Sequence, residues 1–421
     1  MRSDVTTKGF RQRFAGMASM SQAKRAITGA GTIPARRACL AVLAVLSVVL
    51  SLQAQDNSPG KVHFVVRTNP AFDPYLKAPT NESKRWFQSH VWRMMVYSPF
   101  FDNKLGWYPG GWAYINLYGL HTDWPVVRDH PEWLLRDAQN NPLYIPYDCS
   151  NGACPLYAAD VSNPQYRAYW ISRARDLVAR GYRGLWIDDV NLEFRVSDGS
   201  GHHVAPVDPS TGRAMLYEDW KQYVAALCEE IRAAFPNVEI LHNSIWYAGG
   251  PNRDLDPSVS RELQAADYIN LERGVADHGL TGGDGEWSLD AFFRYADRRQ
   301  AKGTGVIIDN TGSLGEYGVA AYFLISSGKN GLGGHDITPD HWLAALDVDL
   351  GAPLGPRSRV RGVFRREFER GVVVLNEPHA QAETVSTCSD CVGVDGRLAS
   401  SVRLMGGQGA ILLRGNMQSP P

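Results

Sequence analysis

The sequence predicts an α/β chain: a (β/α)8 TIM barrel followed by a small C-terminal all-β domain. Three observations lead there. Eight short apolar runs, several separated by amphipathic stretches of helical period, fall between residues 60 and 355. The length of 421 residues accommodates one barrel plus something smaller, since barrels run to roughly 250 residues or more as single units. From Pro356 onward the texture changes to short runs broken by turn residues. The competing α/β architecture is an open doubly wound sheet. No Gly-x-Gly-x-x-Gly follows the first apolar run, which argues against a dinucleotide-binding version of it.

The strands read in order as His63–Val66, Arg93–Tyr97, Trp112–Tyr118, Gly184–Asp189, Val238–Asn243, Tyr268–Glu272, Gly305–Asp309 and the short glycine-rich Gly331–Gly334. Helical periodicity covers Asn163–Arg180, Leu216–Phe235, Leu289–Lys302 and Glu316–Ser327. Gly181 and Pro236 stop the first two, as residues that cannot continue a helix do. A long irregular stretch, His121–Ser162, interrupts the alternation. Val360–Phe368, Gly371–Asn376, Ser400–Met405 and Ala410–Arg414 predict antiparallel strands. The domains are therefore a leader over residues 1–54, the barrel over 60–355 and a β-sandwich-like unit over 356–416.

The leader has the pattern of an export signal. Lys24, Arg25, Arg36 and Arg37 precede the apolar run Cys39–Leu52, and a small residue, Ala54, follows. That run is short of the roughly 20 residues that span a bilayer. The leader is thus either cleaved or kept as an N-terminal anchor, and no further membrane segment is expected. The cysteines agree with export to a periplasmic or extracellular compartment. Cys149 with Cys154, and Cys388 with Cys391, predict two local disulfides, as oxidising surroundings allow. Cys228 falls in a helical pattern and reads as an inert buried thiol.

Composition narrows the partner. The chain carries 43 basic and 44 acidic residues, a formal net charge of −1. No basic field is present for nucleic acid or an anionic membrane. Twelve Trp and 18 Tyr supply flat aromatic faces suited to the apolar faces of sugars, so carbohydrate is the expected partner. Trp107, Trp124, Trp246 and Trp287 are loop aromatics that fit such stacking. Only Cys388–Cys391 has the two-residue spacing of a zinc site and the two cysteine pairs lie far apart in sequence, and no histidine spacing matches one, so no metal or other cofactor is expected.

Barrel active sites lie where strands end. Four successive predicted strands end in polar groups: Asp188 and Asp189, His242 and Asn243, Glu272, then Asp309 and Asn310. Alternation along a strand selects among neighbours. Leu185 and Ile187 should face the helices, and Trp186 and Asp188 the barrel axis. Ile269 and Leu271 should face outward, and Asn270 and Glu272 inward. Two carboxylates then meet over one mouth. Cleaving a glycosidic bond needs such a pair, one to protonate the leaving oxygen and one to meet the oxocarbenium-like centre. Asp188 suits the ionised role and Glu272 the acid/base role, provided Arg273 points away. Asp309, Asn116, Tyr118, His242, Asn243, Trp246, His335 and Asp336 are the expected substrate contacts.

Gly184–Val190, following a helix that begins near Asp160–Pro164, resembles the fourth strand of glycoside-hydrolase-like barrels distantly related to the α-galactosidase group and to bacterial polysaccharide hydrolases. Tyr97-Ser98-Pro99-Phe100 with Phe101-Asp102, and Arg365–Asn376, are similar to the same family, over roughly residues 60–376. The resemblance implies Asp188 as nucleophile and Glu272 as acid/base. The departure is at the sixth strand, where the α-galactosidase group carries aspartate. The expectation is a retaining glycoside hydrolase. The alternative is a non-catalytic carbohydrate-binding barrel serving polysaccharide export or adhesion.

Overall fold

The computed structural model describes residues 58–97, 106–244, 255–276, 279–310, 315–335 and 337–415. The predicted leader, Ser98–Asp102, Trp246, Asp336 and the tail 416–421 lie outside them.

Eight parallel strands close into a barrel: β1 Phe64–Arg67, β2 Arg93–Val96, β3 Gly111–Asn116, β4 Gly184–Asp188, β5 Glu239–Asn243, β6 Tyr268–Glu272, β7 Gly305–Asn310 and β8 Gly331–Gly334. Each pairs with its sequence neighbour, and β8 returns to β1, where Phe64 lies opposite Leu332. The fold is the predicted (β/α)8 barrel.

The strands sort their side chains as alternation requires. Leu185, Ile187, Ile269 and Leu271 join the large apolar cluster between strands and helices. Val65, Met95, Trp112, Trp186, Leu241, Tyr268 and Ile307 form a separate cluster inside the barrel. Large rings fill this interior, with Trp112 lying 5.4 Å from Tyr268 and 5.9 Å from Trp186. The glycines of β8 follow from that crowding. A Cβ on Gly331 would stand 2.7 Å from the Ile307 side chain, and one on Gly333 would stand 2.9 Å from Asp309 Oδ1.

A polar network closes the N-terminal end. Glu239, first in β5, accepts from Arg93, Arg183 and Trp112 Nε1, each at 2.8 Å. Arg93 is only 1% exposed, so these bonds satisfy a guanidinium that burial would otherwise penalise.

The main helices are α1 Asn81–His90, α2 Pro164–Ala179, α3 Tyr217–Ala234, α4 Pro257–Gln264, α5 Leu289–Ala301 and α6 Gly315–Ile325. Their starts carry the expected caps. Asn163 accepts from the Gln165 amide, Asp256 from Ser258 and Ser288 from Ala291. The sequence reading missed α1 and α4. It also missed an antiparallel pairing of Gly119–His121 with Leu156–Ala158, whose first strand begins just before the stretch read as irregular.

Beyond the barrel lies a five-stranded antiparallel sheet: Ser358–Val360, Val363–Phe368, Gly371–Asn376, Gly409–Arg414 and Cys391–Gly393, in that spatial order. A two-stranded ladder, Glu383–Ser386 with Ser401–Leu404, packs its Val385 and Val402 on one face of this sheet. The other face meets α6, whose residues 318–325 are all buried. A helix apolar on every side needs cover on every side, and barrel and sheet together supply it. Arg366 ties the two, donating to the Phe323 and Ser326 carbonyls at 2.9 Å.

Both predicted disulfides are formed, Cys149–Cys154 and Cys388–Cys391, and Cys228 is free and buried. Among the described residues, no helix is long and apolar enough to cross a membrane.

Candidate active site

Asp188 is the last residue of β4, on the inward face one step beyond Trp186. Three donors converge on it. Tyr114 Oη donates to Oδ2 at 2.6 Å, and Asn243 Nδ2 and the Asp189 amide donate to Oδ1 at 2.8 and 2.9 Å. The side chain only accepts, as an ionised carboxylate does. Burial, then the Asp188 charge, push the Tyr114 phenol far above the usual tyrosine range, so it stays a donor. Asp189 turns away through a left-handed backbone (φ 57°) and takes Asn116 Nδ2 at 2.6 Å and Asn191 Nδ2 at 3.1 Å. Burial and the neighbouring Asp188 charge push its carboxyl up to about 6.

Glu272 ends β6 with its side chain 37% exposed. Its partner is Arg67, the last residue of β1, whose Nη1 donates to Glu272 Oε1 at 3.0 Å and to Asp309 Oδ2 at 2.8 Å. Asp309 is 1% exposed. Burial pushes its carboxyl up, but a His335 hydrogen bond and the Arg67 charge outweigh burial and hold it below the usual range. His335 Nε2 lies 3.5 Å from Asp309 Oδ1. Asn270 completes the arrangement, donating to Asn243 Oδ1 at 2.9 Å and to Asp309 Oδ2 at 3.2 Å. A continuous chain of polar contacts therefore runs Asp188–Asn243–Asn270–Asp309–Arg67–Glu272. It crosses the mouth over Trp186, whose ring lies 5.8 Å from the Arg67 guanidinium carbon.

Tyr97 stands directly after β2, 42% exposed, with its ring 4.7 Å from that of Tyr114. Burial raises its phenol; the Arg67 charge opposes that rise, and the charges of Asp188, Tyr147 and Glu272 add to it.

Among the predicted contacts, Asn243, Asp309 and His335 join this arrangement, and Asp309 resolves to the inward face. Three do not join it. His242 is fully buried on the outer face of β5, with Nδ1 2.6 Å from Glu262 Oε1 of α4. It holds the helix layer, because alternation turns it away from Asn243. Tyr118 is also buried outside the barrel, its ring 5.2 Å from Trp220. The strand ends at Asn116, so the period-2 expectation fails two residues later. Asn116 itself braces that turn: its Oδ1 accepts from the Tyr118 amide at 3.0 Å while its Nδ2 serves Asp189. Of the loop tryptophans, Trp107 packs half-buried on the core, Trp124 is covered by Arg173 at 4.3 Å, and Trp287 is 45% exposed.

Sequence reasoning missed Arg67, Tyr97 and Tyr114 as site residues. It placed a guanidinium risk at Arg273, which is exposed with φ 71°. Extending alternation one residue past Val66 would have found Arg67, which shares the inward face with Val65.

A family model described as hypothetical glycosyl hydrolase family 15 matches residues 100–372. No curated protein matches the chain. Among solved structures it is similar to the glycoside hydrolase domain of PelA from Pseudomonas aeruginosa, with 16% identity over 69% of this chain and 97% of that one, TM-score 0.39. A noncanonic maltogenic alpha-amylase AmyB from Thermotoga neapolitana is 12% identical over 85% of this chain and 99% of that one, TM-score 0.49. An alpha-galactosidase from Thermus thermophilus is 14% identical over 73% and 65%, TM-score 0.42.

Proposed function

Because the chain belongs to hypothetical glycosyl hydrolase family 15, we propose that it is an exported retaining glycoside hydrolase acting on a poly- or oligosaccharide, with Asp188 as nucleophile and Glu272 as acid/base. The observation that carries this reading is the polar chain joining these two carboxylates across one barrel mouth.

Asp188 is pre-oriented for attack at the anomeric carbon, since Tyr114, Asn243 and its own neighbour's amide fix both oxygens. Glu272, longer and more exposed, protonates the leaving oxygen. It then takes a proton from the water that hydrolyses the glycosyl–enzyme ester. A proton on Glu272 is incompatible with its ion pair to Arg67. The Arg67–Glu272 contact therefore loosens as the sugar enters, while the deeper Asp309 keeps the guanidinium in place. The two disulfides support export.

The test is turnover of a polysaccharide panel by wild type, Asp188→Asn and Glu272→Gln. Each substitution should lower kcat/KM by several orders of magnitude, with circular dichroism unchanged. Proton NMR of the first-formed anomer should report retention. Saccharide binding by wild type with no turnover on any glycan would favour the non-catalytic binding barrel instead.

A further inference from the structure

Asp188 presents its two oxygens unequally. Oδ1 accepts from Asn243 Nδ2 at 2.8 Å and from the Asp189 amide at 2.9 Å. Among the described residues, Oδ2 accepts from Tyr114 Oη alone, at 2.6 Å. Each carboxylate oxygen has about two lone-pair sites. Oδ1 has therefore filled both of its sites, and Oδ2 keeps one open.

The barrel fixes these donors. β4 lies between β3 and β5, so Tyr114 and Asn243 reach Asp188 from the two neighbouring strands. Tyr114 stands in register with Trp186, one inward position before Asp188, and its ring lies against that of Tyr97 at 4.7 Å. Burial, then the Asp188 charge, hold its phenol far above the usual tyrosine range, so the proton stays on Oη.

We propose that Oδ2 is the atom that attacks the anomeric carbon, and that Tyr114 is a further catalytic residue whose hydrogen bond drives breakdown of the glycosyl ester. This role rests on the glycoside hydrolase reading of the site. In the first step an Oδ2 lone pair forms the bond to the anomeric carbon. The bond to the leaving oxygen breaks, its electron pair stays on that oxygen, and the Glu272 proton joins it. Oδ1 becomes the ester carbonyl and keeps both donors. Oδ2 loses its charge, so the Tyr114 bond weakens, because charged acceptors make the stronger hydrogen bonds. In the second step water attacks the anomeric carbon and gives a proton to Glu272. The bond to Oδ2 breaks, and its electron pair returns to the oxygen that Tyr114 faces. The Tyr114 bond strengthens as that charge develops, which lowers the barrier of this step in particular. Asn243 acts at the other oxygen, which accepts in the ester and the carboxylate both.

Kinetics on dinitrophenyl α- and β-glycosides of glucose, galactose, mannose and N-acetylglucosamine, and on a polysaccharide panel, test this role. The dinitrophenolate leaves with little help from an acid, so ester breakdown limits turnover. Tyr114→Phe keeps the ring and removes only the donor. On the substrate that wild type turns over fastest, it should lower kcat about ten- to hundredfold, the scale of one hydrogen bond to a charged group. KM should fall with kcat, leaving kcat/KM within about threefold of wild type. Most Tyr114→Phe molecules acid-quenched in the steady state should carry the glycosyl ester by intact-protein mass spectrometry. Asn243→Ala should instead lower kcat/KM. A Tyr114→Phe kcat equal to that of wild type, or a loss that falls on kcat/KM with no accumulated ester, would overturn the Tyr114 role and leave hydrolysis standing. A wild type that turns over none of these substrates would overturn the hydrolytic reading, and the Tyr114 role with it.

Discussion

Arg67→Met tests the electrostatic core of the mouth. Asp309 is 1% exposed, and its Oδ2 takes Arg67 at 2.8 Å and Asn270 at 3.2 Å. Removing the guanidinium leaves a carboxylate among barrel walls with one neutral amide and His335. Breaking a buried pair from one side costs about 3–5 kcal/mol. Proton uptake by the stranded carboxyl caps the loss near the lower figure. Adding Asp309→Asn removes the stranded charge, so the double variant should recover a coupling of about 1–3 kcal/mol. Urea unfolding followed by tryptophan fluorescence reads all four proteins of the cycle: wild type, Arg67→Met, Asp309→Asn and the double variant. The pH dependence adds a second check. The folded Asp309 carboxyl lies below its usual range, so its stabilising contribution is complete above the unfolded value, about 3.9, and is lost as pH falls through the folded value. The deficit of Arg67→Met should therefore be largest near neutrality and shrink in acid. A deficit under about 1 kcal/mol, or a double variant no more stable than Arg67→Met, would refute the buried-pair argument.

Other perturbations have separate readouts. Asn243→Ala removes one donor from Asp188 and one acceptor from Asn270. It should lower kcat/KM by about one order of magnitude, for hydrogen bonds worth about 1–2 kcal/mol; unchanged steady-state kinetics would count against the Asn243 role. His242→Ala breaks the buried contact with Glu262 and should cost about 1–3 kcal/mol in urea unfolding while leaving kcat/KM of the folded protein near wild type. An activity loss matching Asn243→Ala would return His242 to the site. Asp189 sits at about 6 when folded, so the folded state holds its proton more tightly and wild-type stability falls as pH rises from about 4 to 6. Asp189→Asn should flatten that slope and gain up to about 2–3 kcal/mol at neutral pH; a slope identical to wild type would exclude Asp189 as its source.

Much of this was legible in local pattern. The inward direction of Asp188, Asn270 and Glu272 and the outward direction of Leu185, Ile187, Ile269 and Leu271 are properties of a single strand, so alternation suffices to read them. Gly181 and Pro236 marked the ends of α2 and α3 for the same reason. Pattern failed where the chain left regular geometry. Tyr118 lies past the end of β3, and the turn braced by Asn116 resets its direction. Helix α4 is only 8 residues long, although Asp256-Pro257 carried a legible cap signature.

Non-local contacts were another matter. Arg67 and Glu272 are 205 positions apart, and Arg67 and Asp309 are 242 apart. They meet because β8 closes back onto β1, bringing His335 at its own end and Asp309 on the adjoining β7 to the side of Arg67. No run of residues announces that closure, which minimises exposed strand edges and buries the apolar belt around all eight strands. Strand type, facing and the candidate carboxylates thus belong to local chemistry. The guanidinium between two acids, and the tyrosines leading out from Asp188, belong to the closed barrel, because only closure brings distant strand ends within hydrogen-bond reach.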